Sequence, residues 1–440
     1  MCHRVLTLGL PLVLLGCRGG PRLGPELTVV GGQASNATVA IEAHSGRVLV
    51  AYTWKSADSA WTVQVAGVDT TGTLLAPVRV DDGSEEVMVA AENPPEVVAA
   101  PDGSIYVAWV GSRRETSPEP DDITIHVARS TDGGESFARV GSLPGAPAPA
   151  SRANLYGDLA VAPDGSLYLS WLDLHYYTDT LTARSRAHVP DSIPVPESRV
   201  EFRVARSTDH GASFVPAPPL DTIACICCRS VVTAGPDGAV HALWRHVFPG
   251  SIRDFQMATS LGGALDFAAP ARVHDDHWVL DGCPDMGPDA VVDGAGAVHV
   301  AWYTGAPGRI GLWYASSRDG GRSFSDPAPL LGRGHVSPSH VRLAAAGDAV
   351  YGAWEDRRGA HPRVVFGRPA AGRTKVVGDG EFPWIAAAGG RLAITWIDGD
   401  AVRLRVAGLP TFGTGAGGPP GAVSHLPVRL HRSEPPRGMR

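Results

Sequence analysis

The sequence predicts an all-β chain built by repeating one unit of short antiparallel strands. Three observations lead there. The pattern Ser-x-Asp-x-Gly-x-Ser-Phe occurs three times, ending at Phe137, Phe214 and Phe324. Seven short apolar runs each end in an aromatic residue. Gly-containing turns such as Pro101–Gly103, Pro163–Gly165, Pro236–Gly238 and Gly389–Gly390 precede nearly all of these runs. Self-similarity at a period of tens of residues marks an array or a propeller of supersecondary units.

The aromatic runs are Val48–Tyr52, Ile105–Trp109, Leu167–Trp171, Val240–Trp244, Val298–Trp302, Val350–Trp354 and Leu392–Trp396. Such runs, bounded by Asp-Gly and Pro signals, read as strands and hairpins. The last unit is short, so the N-terminal segment is expected to complete its sheet. No long amphipathic helix is evident. Within the eight-residue pattern, Asp132, Asp209 and Asp319 can fold back onto backbone two residues on, as Asx turns do. Gly134, Gly211 and Gly321 can take a positive φ. Phe137, Phe214 and Phe324 can then plug the gap between strands. Ser130, Ser207 and Ser317 open each turn.

This pattern resembles the Asp box of the sialidase, or BNR-repeat, superfamily. The resemblance implies a sialidase-like β-propeller of four-stranded blades, with the boxes at its rim and away from the active site. Seven units suggest seven blades. The family's six leaves six blades plus an extra hairpin open. A Ca²⁺ loop does not fit, because the acidic ligands of an EF-hand are missing.

The N-terminus carries His3 and Arg4, then an apolar run from Val5 to Leu15, then Gly16-Cys17. That is a signal peptide over 1–16, too short to span a bilayer as a helix. Leu14-Leu15-Gly16-Cys17 resembles a bacterial lipobox, which implies a lipid on Cys17 and a place in the cell envelope, periplasmic or at the surface. Residues 17–26 read as a tether and 27–410 as the propeller. The Gly/Pro-rich tail 411–440 reads as disordered. Polar insertions at 115–122 and 188–197 read as long loops. The formal net charge of −7 argues against a nucleic-acid partner. A monomer is expected.

Four further cysteines are not required by such a fold. Cys225, Cys227 and Cys228 precede Arg229–Val232, and Cys283 precedes Asp289–Val292. These are the same slot in adjacent units, so the thiols should converge at one face of the axis. An exported location favours a disulfide from Cys283 to one of the other three. Thiolates joined by His274 and His277 would instead suit copper or zinc. One disulfide beside reactive thiols is a third reading. Cys-x-Cys-Cys followed by His-Trp and Gly-Cys-Pro resembles a subgroup of exported sialidase-like propellers.

Sialidases clamp the substrate carboxylate with three arginines and use a Tyr–Glu nucleophile pair and an Asp acid/base. The early Phe/Tyr-Arg-Ile-Pro motif that carries the first arginine does not occur in residues 27–60. Polar residues at the entries of the inner strands are Glu96, Tyr156, Asp158, Arg229, Asp289, His340, Arg342 and Glu381. Arg229 and Arg342 could hold an anion, and Tyr156, Asp158 and Asp289 a polar ligand. Alternatively, these groups fill the channel mouth with mutual salt bridges. Arg245, Arg253 and Asp254 read as an edge ion pair, and 355–358 likewise. The leading function is therefore a binding module for a glycan or an envelope protein. The alternatives are a sialidase-like glycosidase, or copper or zinc handling.

Overall fold

The computed structural model describes residues 21–113, 122–143, 152–186, 199–331 and 339–409. The proposed signal and Cys17, almost all of the 115–122 insertion, the 188–197 insertion and the tail lie outside the described residues.

Strands dominate, in antiparallel groups of four. The first group is Ala34–Ile41, Val48–Lys55, Trp61–Val68 and Val78–Arg79; the second is Glu96–Ala99, Ile105–Arg113, Asp122–Ser130 and Ala138–Ser142. The third is Arg152–Val161, Leu167–Asp173, Glu201–Ser207 and Val215–Pro216. The fourth is Val231–Ala234, Val240–Phe248, Ile252–Ser260 and Ala271–Arg272. Asp289–Val292, Val298–Thr304, Gly311–Ser317 and Ala328–Pro329 make the fifth; Val341–Ala346, Ala349–Asp356, Arg363–Gly367 and Thr374–Asp379 make the sixth. The last joins Glu381–Ala388, Arg391–Asp398 and Ala401–Gly408 to the N-terminal strand Leu27–Gly31, which pairs antiparallel with Ala401–Gly408. The second and third groups share a sheet through a short parallel pairing of Arg152 and Ala153 with Asp122 and Ile123.

The first strand of each group touches the first strand of the next in chain order, and Glu381–Ala388 touches Ala34–Ile41. The seven aromatic anchors, Tyr52, Trp109, Trp171, Trp244, Trp302, Trp354 and Trp396, are all buried. Each sits on the second strand of its group and fills the layer between sheets. Trp244 and Trp302 donate their indole N–H to Asp221 and Asp276 at 2.5 and 2.7 Å, giving the buried N–H a partner.

The three Ser-x-Asp-x-Gly-x-Ser-Phe turns follow the third strands of groups two, three and five. Their carboxylates reach further than the expected two residues. Asp132 Oδ1 accepts the amides of Glu135 and Ser136, three and four residues on, both at 3.0 Å. Asp319 Oδ1 does the same with Arg322 and Ser323 at 3.1 and 3.0 Å, and Asp209 Oδ1 takes Ser213 N at 2.9 Å. The reason is backbone curvature. Gly134, Gly211 and Gly321 have φ of 90°, 85° and 81°, which curls the chain around the carboxylate. Gly321 is also pressed on the preceding group: an added Cβ would lie 2.8 Å from Met257 Sδ. Phe214 is buried, and Phe137 and Phe324 pack half-buried against their hydrophobic clusters.

Two features depart from the sequence reading. A helix, His175–Arg186, follows the second strand of the third group. It starts where the Asp173 carboxylate accepts the His175 amide at 3.2 Å, the side-chain help that helix N-termini need. It lacks an apolar stripe, so periodicity does not disclose it. Residues 21–26, the end of the expected tether, lie along the last strand: Leu23 bridges Ala407, and Gly24 N donates to Val406 O at 2.8 Å.

Candidate functional site

The residues that begin the inner strands carry side chains that reach the neighbouring group. Thr38 Oγ1 accepts Val97 N at 3.2 Å. Glu96 Oε2 accepts Leu159 N at 2.7 Å, and Asp158 Oδ2 accepts Val232 N at 2.8 Å. Asp289 Oδ2 accepts Leu343 N at 2.5 Å. Each bond satisfies an inner-strand amide that has no strand partner on that side. Three of the four acceptors are carboxyl groups, so acids accumulate along the inner strands.

Two buried arginines answer that charge. Arg229 is fully buried; its guanidinium lies 3.6 Å from both Asp158 and Asp289 and donates to Pro288 O at 2.6 Å. Arg342 donates to Val341 O at 2.9 Å. Both stand over the Trp384 ring, at 5.4 and 4.3 Å from its centre. Burial, with the Arg229 charge adding to it, brings Arg342 down to about 10. Burial and the Asp158 charge push Glu96 well above the carboxylate range. Burial raises Asp158 too, opposed by Arg229 and by a hydrogen bond from Glu96. Glu96, Asp158, Asp289, Arg342 and Trp384 help to line a cavity of about 320 Å3 whose other walls are mostly Val, Ala and Ile of the inner strands.

Of the five sequence-predicted ligand residues, Asp158, Arg229, Asp289 and Arg342 therefore meet, but as one another's partners. Tyr156 stands apart. It occupies a bulge between Leu155 and Asp158, with φ 57°. Its amide donates to Asn93 Oδ1 at 2.6 Å and its carbonyl accepts Ser230 N at 3.1 Å. The half-buried phenol is raised to about 12 by burial and then by the negative charges of Asp285, Cys228 and Glu92. Phe382 sits in the matching bulge of the last group, with φ 52°, and its ring centre is 4.7 Å from that of His340. Bulges and left-handed non-glycine residues re-aim side chains and gather at functional sites.

Beside Phe382, His340 lies between two buried carboxylates, 3.0 Å from Glu92 and 2.9 Å from Glu355. Burial alone would depress the imidazole, but Glu355 and Glu92 lift it to about 9. Both acids end at about 2, burial being outweighed by His340. Glu381 is half-buried and pairs with Arg357 at 3.3 Å. The 355–358 stretch forms ion pairs as expected: Arg357 with Glu355 and Arg358 with Asp356.

The cysteines converge. Cys227 is disulfide-bonded to Cys283, with Cα atoms 6.1 Å apart. Cys225 and Cys228 are free and buried; Cys228 Sγ donates to Cys225 Sγ at 3.6 Å, and Cys225 Sγ is 4.0 Å from Cys227 Sγ. That hydrogen bond, with the Arg245 and Arg253 charges, outweighs burial and holds Cys225 below the ordinary thiol range, whereas burial and Cys225 push Cys228 up. Three sulfurs within 4.8 Å of one another could hold a soft metal, but Cys227 is committed to the disulfide. The histidines are engaged elsewhere: His274 Nδ1 pairs with Asp276 at 2.8 Å, and exposed His277 groups with Asp254 and Asp275. Arg245 and Arg253 do not behave as edge groups. Arg245 packs over Phe255 and Trp278 and donates to three carbonyls, while Arg253 donates to Leu280 O and to Cys225 Sγ at 3.2 Å. The thiols, not the sheet edge, are what this cationic layer surrounds.

No protein-family model and no curated protein matches the sequence. Solved structures do. A polysaccharide lyase, Uly1, aligns at 12% identity over 84% of this chain and 90% of its own, with a TM-score of 0.50. A PL25 ulvan lyase, solved bound to -[GlcA(1-4)Rha3S]-, aligns at 10% identity over 88% of this chain and 96% of its own, with a TM-score of 0.51. The Hadza microbial sialidase Hz136 aligns at 12% identity over 79% and 74%, with a TM-score of 0.48. The fold is all-β and propeller-like. At such identities the likeness speaks to the fold alone.

Sequence reasoning missed Glu92, Asn93, Asp285, Phe382 and Trp384. Aligning the seventh unit on the third would have found the last two, because Phe382 and Trp384 stand where Tyr156 and Asp158 do in the bulged strand. Glu92 lies in a connection with no repeat signal.

Proposed function

We propose that this chain is an exported, lipid-anchored, closed seven-bladed propeller of the sialidase-like kind that binds glycans without cleaving them. Closure is supported by the cyclic contacts of the inner strands and by the N-terminal strand completing the last sheet. The turns with Asp132, Asp209 and Asp319 act as its Asp boxes.

One observation carries the non-hydrolytic reading. Of the two guanidinium groups that could clamp a substrate carboxylate among the inner strands, Arg229 is buried and matched to Asp158 and Asp289, and Arg342 is buried over Trp384. A clamp needs several free forks that bind carboxylate bidentately; the Arg229 fork is taken by Asp158, Asp289 and Pro288 O, which leaves Arg342 as a lone guanidinium at the cavity. Outside this charged layer stand the half-buried Tyr156 ring and exposed Asp285, close enough for the carboxylate to act on the phenol, an aromatic face with an acceptor that suits sugar hydroxyls.

The test is titration calorimetry of the mature protein against neutral and uronic-acid-bearing polysaccharides, alongside turnover of a fluorogenic aryl sialoside. Binding that is lost in Tyr156→Ala, with no turnover, supports the reading. Release of the fluorophore by wild type, lost in Tyr156→Phe, overturns it in favour of a glycosidase.

A further inference from the structure

The four-cysteine cluster has a feature that a structural brace does not need. Its disulfide reaches the surface at one end only. Cys283 is exposed, while Cys227, Cys225 and Cys228 are buried. A brace calls for two cysteines, and two more thiols stand beside it. Cys225 Sγ is 4.0 Å from the buried sulfur of the bond and about half an ångström outside the range of a near-attack pair.

The surroundings of Cys225 are those of a thiolate. Arg253 Nη1 donates to its sulfur at 3.2 Å, and Cys228 Sγ donates from 3.6 Å. The backbone is held as well: Cys225 N donates to Arg245 O at 2.8 Å, and Ala224 bridges His246. Cationic, hydrogen-bonded surroundings distinguish reactive cysteines from inert buried ones.

We propose that the cluster is a thiol–disulfide exchange site in which Cys225 opens the Cys227–Cys283 bond and presents Cys283 as a reactive surface thiolate. The Cys225 thiolate attacks Cys227 Sγ. A Cys225–Cys227 bond forms, the Cys227–Cys283 bond breaks, and the electron pair leaves on Cys283. One disulfide and one thiolate exist before and after, so no outside oxidant or reductant enters. The freed Cys283 thiolate then attacks a disulfide-bearing molecule at the surface. A mixed disulfide forms at Cys283, and that molecule's other sulfur leaves as thiolate. Cys228 and Arg253 act as positioning residues through Cys225. The glycan reading rests on Tyr156 and Asp285, and neither takes part in this exchange, although Asp285 lies two residues from Cys283.

The test is peptide mapping of the folded, mature protein after acid quenching, with iodoacetamide as the probe of free thiol. Wild type is expected to yield both the Cys227–Cys283 and the Cys225–Cys227 peptides, and to alkylate at Cys283. Alkylation at Cys283 should fall by about tenfold or more in Cys225→Ser, where the attacking sulfur is gone, and fall by less in Cys228→Ala, which keeps the attacker but removes the thiol that donates to it. Finding Cys227–Cys283 as the sole disulfide in wild type, with Cys283 unlabelled, overturns the proposal without any variant. Equal labelling of Cys283 in wild type and folded Cys225→Ser also overturns it.

Discussion

The guanidinium carbon of Arg342 lies 4.3 Å from the centre of the Trp384 ring, and Arg342 is buried. An arginine desolvated on an aromatic face keeps its charge only while the ring and nearby carboxylates compensate for lost water. Arg229 approaches the same ring at 5.4 Å, so one tryptophan serves two like charges. Replacing it, Trp384→Ala, is expected to cost about 3 kcal/mol, from lost packing and from two poorly compensated cations. Urea denaturation measures this, and a loss below about 1 kcal/mol would show the ring to be dispensable.

Removing one carboxylate from the Arg229 pair strands a buried charge. Asp158→Ala also leaves Val232 N without its acceptor. The expected loss is about 3 to 5 kcal/mol. Asp158→Asn keeps an acceptor for Val232 N and should recover part of that, which separates the amide contribution from the charge contribution in the same denaturation experiment.

His340 links stability to alkaline pH. Its folded value of about 9 exceeds the ordinary 6.5. The stabilisation is therefore complete below about 6.5 and lost as pH rises through about 9. Its size is about 3 kcal/mol by linkage. Glu92 and Glu355, both near 2, contribute in the opposite direction: their stabilisation is present above about 4.5 and is lost as pH falls toward 2. Melting temperature measured from pH 6 to 10 should decline in wild type and flatten in His340→Gln. An equal decline in that variant would assign the slope to other groups.

The N-terminal strand is expected to act as a clasp. Deleting residues 21–31 exposes the full edge of Ala401–Gly408, which Leu27–Gly31 covers. An uncovered edge strand pairs with other chains. The truncated protein should lose its single cooperative transition and form oligomers by size-exclusion chromatography. A monomer with unchanged melting would argue against closure through this strand.

Asp319→Ala removes the acceptor of two turn amides and of the Ser323 hydroxyl. The site is exposed, so water compensates in part, and the expected cost is about 1 kcal/mol. The matching change at Asp132 should cost a similar amount, because the hydrogen bonds repeat.

Much of the fold is legible because it is written locally and repeatedly. The aromatic anchors and the Asp-Gly turns report strand ends by spacing alone, and the repeated slot predicted that Cys227 and Cys283 would lie near each other. The helix at His175–Arg186 is not legible, because its start depends on the single Asp173 side chain and not on a period. Glu92 is illegible for a related reason. Its partners, His340 and the amides of Gly287 and Arg229, come from distant parts of the chain.

The sequence by itself determined the all-β repeat, the buried aromatic layer, the presence of turns at Asp132, Asp209 and Asp319, and the convergence of the cysteines. Only the tertiary structure decided what the axial charges do. A list of residues cannot tell an arginine aimed at solvent from one enclosed by its neighbours' carboxylates, since that depends on which inner strands are adjacent. Burial makes the difference physical: in water Arg229 would be a free anion clamp, whereas desolvated between Asp158 and Asp289 it is part of the frame.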